Sequence, residues 1–116
     1  MDVFGHFHDS CIKEINYVSG AFVDEDLSMS PVNDKRELEV IFQRQVYNPT
    51  TIEMCFCGLV KLNLEPVGIN YTCEIHGAIL VQKDGCFYWF DSDIPDMENY
   101  NGTWICAKGL RWRIID

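Results

Sequence analysis

Four apolar runs separated by short turn signals occupy the sequence from Arg36 to Phe90. In the first run Leu38, Val40 and Phe42 alternate with polar residues. Successive side chains of a β-strand point to opposite faces, so a repeat of two residues predicts strands rather than helices. The runs cover residues 36–45, 51–64, 69–81 and 86–90, and the turn signals between them are Asn48-Pro49-Thr50, Glu65-Pro66-Val67-Gly68 and Asp84-Gly85. This succession of strands and turns predicts an antiparallel meander.

Two further strands are predicted outside this stretch, over residues 11–18 and about 103–115. Residues 20–35 are expected to form a mobile, exposed loop, and residues 91–102 a second loop with one helical turn near 97–100. The run 51–64 is apolar on both faces before Gly58, which predicts a central strand with a bulge at this glycine. Residues 1–116 are therefore expected to form one mainly β domain with little helix, in which the meander makes a sandwich or a rolled half-barrel.

The charge balance limits the partners that the chain can bind. Eighteen Asp and Glu residues against nine Lys and Arg residues give a formal net charge of −9 over 116 residues. Such a field repels nucleic acid and anionic membranes and permits a basic protein partner, while solubility is the simplest reason for the charge. The first residues lack the features of a signal peptide, and no run reaches the roughly 20 apolar residues of a membrane span. The sequence therefore predicts a cytoplasmic protein with neither nucleic acid nor membrane as a partner.

The cysteine spacing does not predict a metal site. The six cysteines are Cys11, Cys55, Cys57, Cys73, Cys86 and Cys106. None belongs to a C-x-x-C pair, and Cys55-Phe56-Cys57 has the wrong spacing for a zinc knuckle. Two strand residues at this spacing point the same way, and we expect them not to chelate. Several cysteines lie in apolar runs, so we expect free, reduced and mostly buried thiols.

The segment His6-Phe7-His8-Asp9 has the residue types that most clearly suggest a chemical role. In an extended chain His6 and His8 share a face and can ligate a metal together with Asp9. A hydrolytic metal site needs further ligands, and local hydrogen bonding at the start of a strand is the simpler interpretation. Cys11 is disfavoured as a nucleophile because neighbouring strand residues point to opposite faces. We predict no cofactor, no metal site and no catalytic residue.

Eight residues are predicted to contact a protein partner. Six are acidic and lie in the two loops: Asp24, Glu25, Asp26, Asp91, Asp93 and Asp96. Asp91-Ser92-Asp93 resembles half of a calcium loop, but the residues that follow break that pattern. The other two are Trp89 and Trp112, because one or two rings of the aromatic C-terminal half are expected to emerge on a partner-facing patch.

Two segments resemble a known group of proteins. The first is Phe7-His8-Asp9-Ser10, which leads into Cys11-Ile12-Lys13-Glu14-Ile15, and the second runs from Ile52 to Leu64. They resemble small bacterial proteins with an early His-Asp-Ser signature, many uncharacterised and some grouped with immunity proteins of polymorphic toxin systems. The resemblance implies a compact, mostly β, non-enzymatic cytosolic protein with no catalytic residues to transfer. The acidic loop at 20–35 and the tryptophan-rich end are not part of that group's pattern.

Three functional hypotheses follow from these observations. The first is a non-enzymatic protein-binding domain, of the immunity type, that neutralises a basic toxin. The alternative is a small metal-dependent hydrolase that uses His6, His8 and Asp9. A third is a small-ligand pocket between the sheet and the loops. The sequence makes no prediction of oligomeric state, strand order or partner identity.

Overall fold

The computed structural model of the protein describes residues 7–45 and 48–115. Within these ranges there is no α-helix, and the chain is built from eight strands. They are β1 (Ser10–Val18), β2 (Phe22–Val23), β3 (Met29–Ser30), β4 (Glu37–Arg44), β5 (Thr51–Asn63), β6 (Ile79–Lys83), β7 (Cys86–Phe90) and β8 (Trp104–Ile114). The predicted mainly β, antiparallel fold is confirmed.

Six strands form one antiparallel sheet in the order β1-β4-β5-β8-β7-β6, and β2 pairs with β3 in a separate two-stranded sheet. The hairpins β4–β5 and β6–β7 are neighbours along the chain, as in a meander. The last strand, β8, lies between β5 and β7 and separates the two hairpins. With two strands on one side and three on the other, β5 is central, as its two apolar faces predict.

The sheet is rolled, because residues of distant strands meet. Two strands separate β4 from β7, so in a flat sheet with strands about 4.8 Å apart their residues would be roughly 14 Å apart. The rings of Phe42 on β4 and Trp89 on β7 have centroids only 5.3 Å apart. Phe7 packs on both rings, at 4.9 Å from Phe42 and 5.7 Å from Trp89. The edge strands β1 and β6 are not neighbours, so the sheet is an open half-barrel.

The concave face of the sheet supplies the core. On β4, Leu38, Val40 and Phe42 are fully buried while the residues between them are partly exposed. The pairing register sets each of them opposite a buried residue of β5: Phe56, Met54 and Ile52. The alternation that predicted these strands therefore also identifies their buried face.

Gly58 is the place where the long strand β5 changes direction. Its φ is +64°, a conformation that glycine adopts at little cost. The register between β5 and β8 shifts just beyond it, between Leu59 and Lys61. The predicted bulge is thus observed within two residues of the expected glycine. A bulge bends a strand, so β5 can follow the curvature of the rolled sheet.

The predicted strand over residues 69–81 is wrong in its first ten residues. Strand β6 begins at Ile79, and the preceding segment is turns and irregular chain. Ile69 is 100% exposed and Tyr71 77% exposed, so the apolar side of the alternation is not buried. Ile75 and Ala78 reach the core, and Ile75 also bridges to Ser10 on β1. The alternation does not give a strand here because the bridge at Ile75 is not continued by pairing of the residues on either side.

The turn between β6 and β7 has the predicted chemistry. Asp84 and Gly85 both have positive φ, at 54° and 77°. Two successive positive φ values characterise the hairpin turn that matches the right-handed twist of paired strands.

The predicted helical turn near 97–100 is a single hydrogen-bonded turn, in which the Asn99 amide donates to the Asp96 carbonyl.

Candidate protein-binding surface

A hairpin projects from the sheet between β1 and β4, and we call residues 20–34 the β2–β3 arm. Its base is closed by the Ser19 carbonyl, which accepts hydrogen bonds from the amides of Lys35 at 2.9 Å and Arg36 at 3.2 Å. Gly20 has φ of +101°, and a Cβ there would lie 2.1 Å from a carboxylate oxygen of Asp34. The chain can turn out of β1 here because this residue is glycine.

The tip of the arm is an acidic turn held by its own carboxylates. The Ser28 amide donates to Oδ1 of Asp26 at 2.9 Å and to Oδ1 of Asp24 at 3.3 Å. A side-chain hydrogen bond with Asp24, and then hydrogen bonds from Ser28, lower the pKa of Asp26. Asp26 therefore keeps its negative charge at neutral pH, and the carboxylates of the tip bond to the backbone of their own turn.

The arm also exposes a set of large apolar side chains. Val23 and Met29 are opposite each other on the two strands and so share a face. Five apolar side chains of the arm are each more than half exposed: Phe22, Val23, Leu27, Met29 and Val32. A hairpin of two short strands is marginally stable by itself in water, and clustered exposed apolar side chains characterise contact sites. Charge and apolar surface are thus combined on one projecting element.

The three arm carboxylates predicted to bind a partner, Asp24, Glu25 and Asp26, are all exposed. They lie between Val23 and Leu27 in the chain, so charged and exposed apolar side chains belong to the same hairpin. Because carboxylates attract Lys and Arg, the arm favours a partner surface with basic residues around an apolar centre.

The second acidic loop, residues 91–102, is differently constructed. Asp91 accepts a hydrogen bond from the hydroxyl of Tyr100, and its amide donates to the Thr103 carbonyl. Burial, followed by the bond to Asp91, raises the pKa of Tyr100. Asp96 accepts from the Glu98 amide, and both Asp93 and Asp96 are exposed. Asp91 and Asp96 therefore stabilise their own loop, as Asp24 and Asp26 do in the arm.

The two acidic loops connect different pairs of strands. The β2–β3 arm connects β1 to β4, whereas residues 91–102 connect β7 to β8. Strands β5 and β8 separate β4 from β7 in the sheet. The six predicted acidic contacts thus belong to two different loops. The arm exposes five large apolar side chains, whereas residues 91–102 expose two, Ile94 and Met97.

The prediction that Trp89 is partner-facing is wrong. Trp89 is fully buried against Phe7 and Phe42, because the roll of the sheet turns this side of β7 inward. Its indole Nε1 has no hydrogen-bond partner within the described part of the chain. Trp112 is 46% exposed. It lies near the end of β8, beyond the residues that pair with β7. Of the two tryptophans, Trp112 alone is accessible.

The His-Asp segment near the N-terminus forms structural contacts. His6 lies outside the described residues. The ring of His8 makes a 2.6 Å hydrogen bond through Nδ1 with the His76 carbonyl, and its Nε2 lies 3.3 Å from Asp9. Among residues 7–45 and 48–115, no three His, Cys, Asp or Glu side chains are grouped to hold a metal ion. The described contacts agree with the structural interpretation of this segment.

A cavity of about 490 Å³ lies between β1 and the segment after β5. Ile12, Ile15 and Ile75 line it, and the amide of Glu65 donates to Thr103 Oγ1 at its margin. Its volume lies in the range of small-molecule sites. The pocket predicted between sheet and loops thus has a candidate location, although its lining contains no grouped catalytic residues.

The arm's apolar surface is the feature that sequence reasoning missed. The acidic residues were identified, but Phe22, Leu27 and Met29 were treated as parts of an irregular loop. Their signal was present: three large apolar residues within eight positions of an acidic, turn-rich stretch. Such residues in a loop need either a core contact or a partner.

The chain matches no known family model, no curated protein and no solved structure at a significant level. Among the residues that the structure describes, no helix has the length and apolar character to cross a membrane.

Proposed function

We propose that the chain is a non-enzymatic protein-binding domain that docks on a basic protein through the β2–β3 arm. The observation that carries the proposal is the exposure of five large apolar side chains next to Asp24, Glu25 and Asp26 on one projecting hairpin. Burying such apolar surface stabilises a complex, and the flanking carboxylates select a basic partner and accelerate association.

Within this class we propose an immunity-type role, in which the arm covers the basic surface of a toxin. A nuclease toxin must present basic residues to its nucleic-acid substrate, so an acidic arm is complementary to it. All six cysteines are free thiols, which agrees with a reducing cytosol as the place of action.

The test compares two arm variants in affinity capture from the native host, followed by measurement of affinity for the captured basic protein. The charge variant is Asp24→Ser/Glu25→Ser/Asp26→Ser, and the apolar variant is Phe22→Ser/Leu27→Ser/Met29→Ser. Each is expected to weaken binding by at least about tenfold. The charge variant should also lose most of the salt dependence of the association rate.

Matched controls remove the same charge or apolar surface elsewhere. Glu65→Ser/Glu74→Ser/Glu98→Ser changes three exposed carboxylates outside the arm, and Val60→Ser/Ile69→Ser/Ile94→Ser changes three exposed apolar residues. Both should bind as the wild type does. Equal loss in the control and arm variants, or capture by the arm variants at wild-type affinity, would contradict the proposal.

A further inference from the structure

Cys55 and Cys57 form a close pair of thiols on the convex face of the sheet. They are two residues apart on β5, so both point away from the buried Met54 and Phe56. Their Sγ atoms lie 3.7 Å apart. We call this pair the Cys55–Cys57 dithiol. The two thiols point the same way, as expected from their spacing, and their separation is short enough for both to bond one atom. The expectation that they do not chelate is the one that the proposal below replaces.

The dithiol is accessible from the convex face. Cys55 is only 5% exposed, but it lines an indentation of about 290 Å³ together with Arg111 and Glu39. Cys57 is partly exposed and pairs with Gly109 on β8. Because Gly109 has no side chain, the β8 side of Cys57 is left uncovered. A small reagent can therefore reach Cys57 first and then Cys55.

The sulfur separation selects among the chemistries open to two thiols. Two bonds of about 2.3 Å to one bridging atom span roughly 3 to 4 Å when they meet at 90–110°. The same two bonds in a line would span about 4.6 Å. The dithiol thus fits a bent bridge better than a linear one.

The number of available ligands further limits which element can bridge the two sulfurs. Zinc requires four ligands, and the described residues contain no group of three His, Cys, Asp or Glu side chains that could hold a metal ion. A trivalent arsenic atom that already carries one organic substituent needs only two sulfurs to complete a bent, three-bonded geometry. Thiolates are the soft ligands that such a thiophilic atom prefers.

We propose that the Cys55–Cys57 dithiol is a chelating site for monosubstituted trivalent arsenicals. In the reaction with an organoarsine oxide, the two S–H bonds and the bonds between arsenic and oxygen break, and two As–S bonds form. The oxygen leaves as water with both thiol protons. Arsenic stays trivalent and no group is oxidised or reduced, so no further reactant is needed.

The surroundings of the site suit an uncharged product. Burial, followed by the hydrogen bond with Cys57, raises the pKa of Cys55 to about 11. A buried thiolate is thus disfavoured at neutral pH, although Arg111 opposes this in part. The dithioarsine product carries no charge, so Cys55 can remain buried within it without a desolvation cost. Once one As–S bond has formed, the second closes within the molecule at high effective concentration.

Phenylarsine oxide with the reduced full-length chain, followed by intact-mass measurement, tests the proposal. The wild type should retain one phenylarsine group in excess 2-mercaptoethanol, because a monothiol displaces single As–S bonds but not the chelate. A competing dithiol, 2,3-dimercaptopropanol, should remove it. Peptide mapping should place the retained group on residues 55–57.

Single and paired Cys→Ser variants supply the controls. Cys55→Ser and Cys57→Ser should each lose the adduct that resists the monothiol. Cys86→Ser/Cys106→Ser removes a second, buried neighbouring pair and should leave it intact. Circular dichroism checks that each variant folds. If Cys55→Ser does not fold, Cys57→Ser still tests the proposal, because Cys57 is partly exposed. A resistant adduct in both single variants, its loss in the Cys86→Ser/Cys106→Ser variant, or no resistant adduct on the wild type would overturn the proposal.

Discussion

The rolled sheet and the β2–β3 arm use the same apolar residue types in opposite ways. Phe42 and Met54 in the sheet are fully buried, whereas Phe22 and Met29 in the arm are more than half exposed. The difference arises from neighbours, because each sheet residue has a strand on either side and an opposing face of the roll above it. The arm has two short strands and nothing opposite them. Apolar composition by itself therefore does not locate a core.

The largest expected effect lies in the sheet. Phe42→Ala removes a ring that contacts both Phe7 and Trp89 and should leave a cavity where the two sides of the roll meet. We expect the free energy of unfolding to fall by about 4 kcal/mol. Equilibrium urea denaturation followed by tryptophan fluorescence measures it. A loss below about 1 kcal/mol would mean that the roll does not depend on this contact.

An intermediate effect is expected where the arm leaves the sheet. Gly20→Ala puts a Cβ 2.1 Å from Asp34 and 2.9 Å from the Lys35 nitrogen, at a φ of +101°. We expect a loss of about 2 kcal/mol in the free energy of unfolding. Gly85→Ala is the matched control, since its φ is +77° but no atom lies within 4 Å of the added Cβ. It should cost about 1 kcal/mol, from the backbone alone. Equal losses would show that the base of the arm is not tightly packed.

The smallest effect is expected within the arm. Phe22→Ala removes a large side chain that is more than half exposed, so the free energy of unfolding should change by less than about 0.5 kcal/mol. The same denaturation experiment measures this against Phe42→Ala. A loss comparable to that of Phe42→Ala would mean that Phe22 belongs to the core and is not available to a partner.

The sequence predicted elements whose signals are local. Alternation over residues 36–45 and 51–64 located β4 and β5, and Asp84-Gly85 located the hairpin between β6 and β7. These signals succeed because strand periodicity and turn geometry depend on adjacent residues. The position of β8 between β5 and β7 depends on contacts between residues far apart in the chain, which no local pattern specifies.

The candidate site was predictable only in part, for the same reason. The acidic residues of the arm are exposed as expected, because charged turns in water need no tertiary information. Trp89 was misplaced because its burial depends on the roll that brings β7 over β4. The closeness of Cys55 and Cys57 depends on side-chain rotamers, which the spacing alone does not determine.

Amide hydrogen exchange, resolved by residue, tests most directly the claim that the arm is a weakly supported docking element on a stable rolled sheet. We predict that amides of β4 and β5 exchange only through global unfolding, whereas amides of residues 22–30 exchange at close to the rate of an unfolded chain. Protection of the arm equal to that of β4 and β5 would contradict the account, because the arm would then be part of the core.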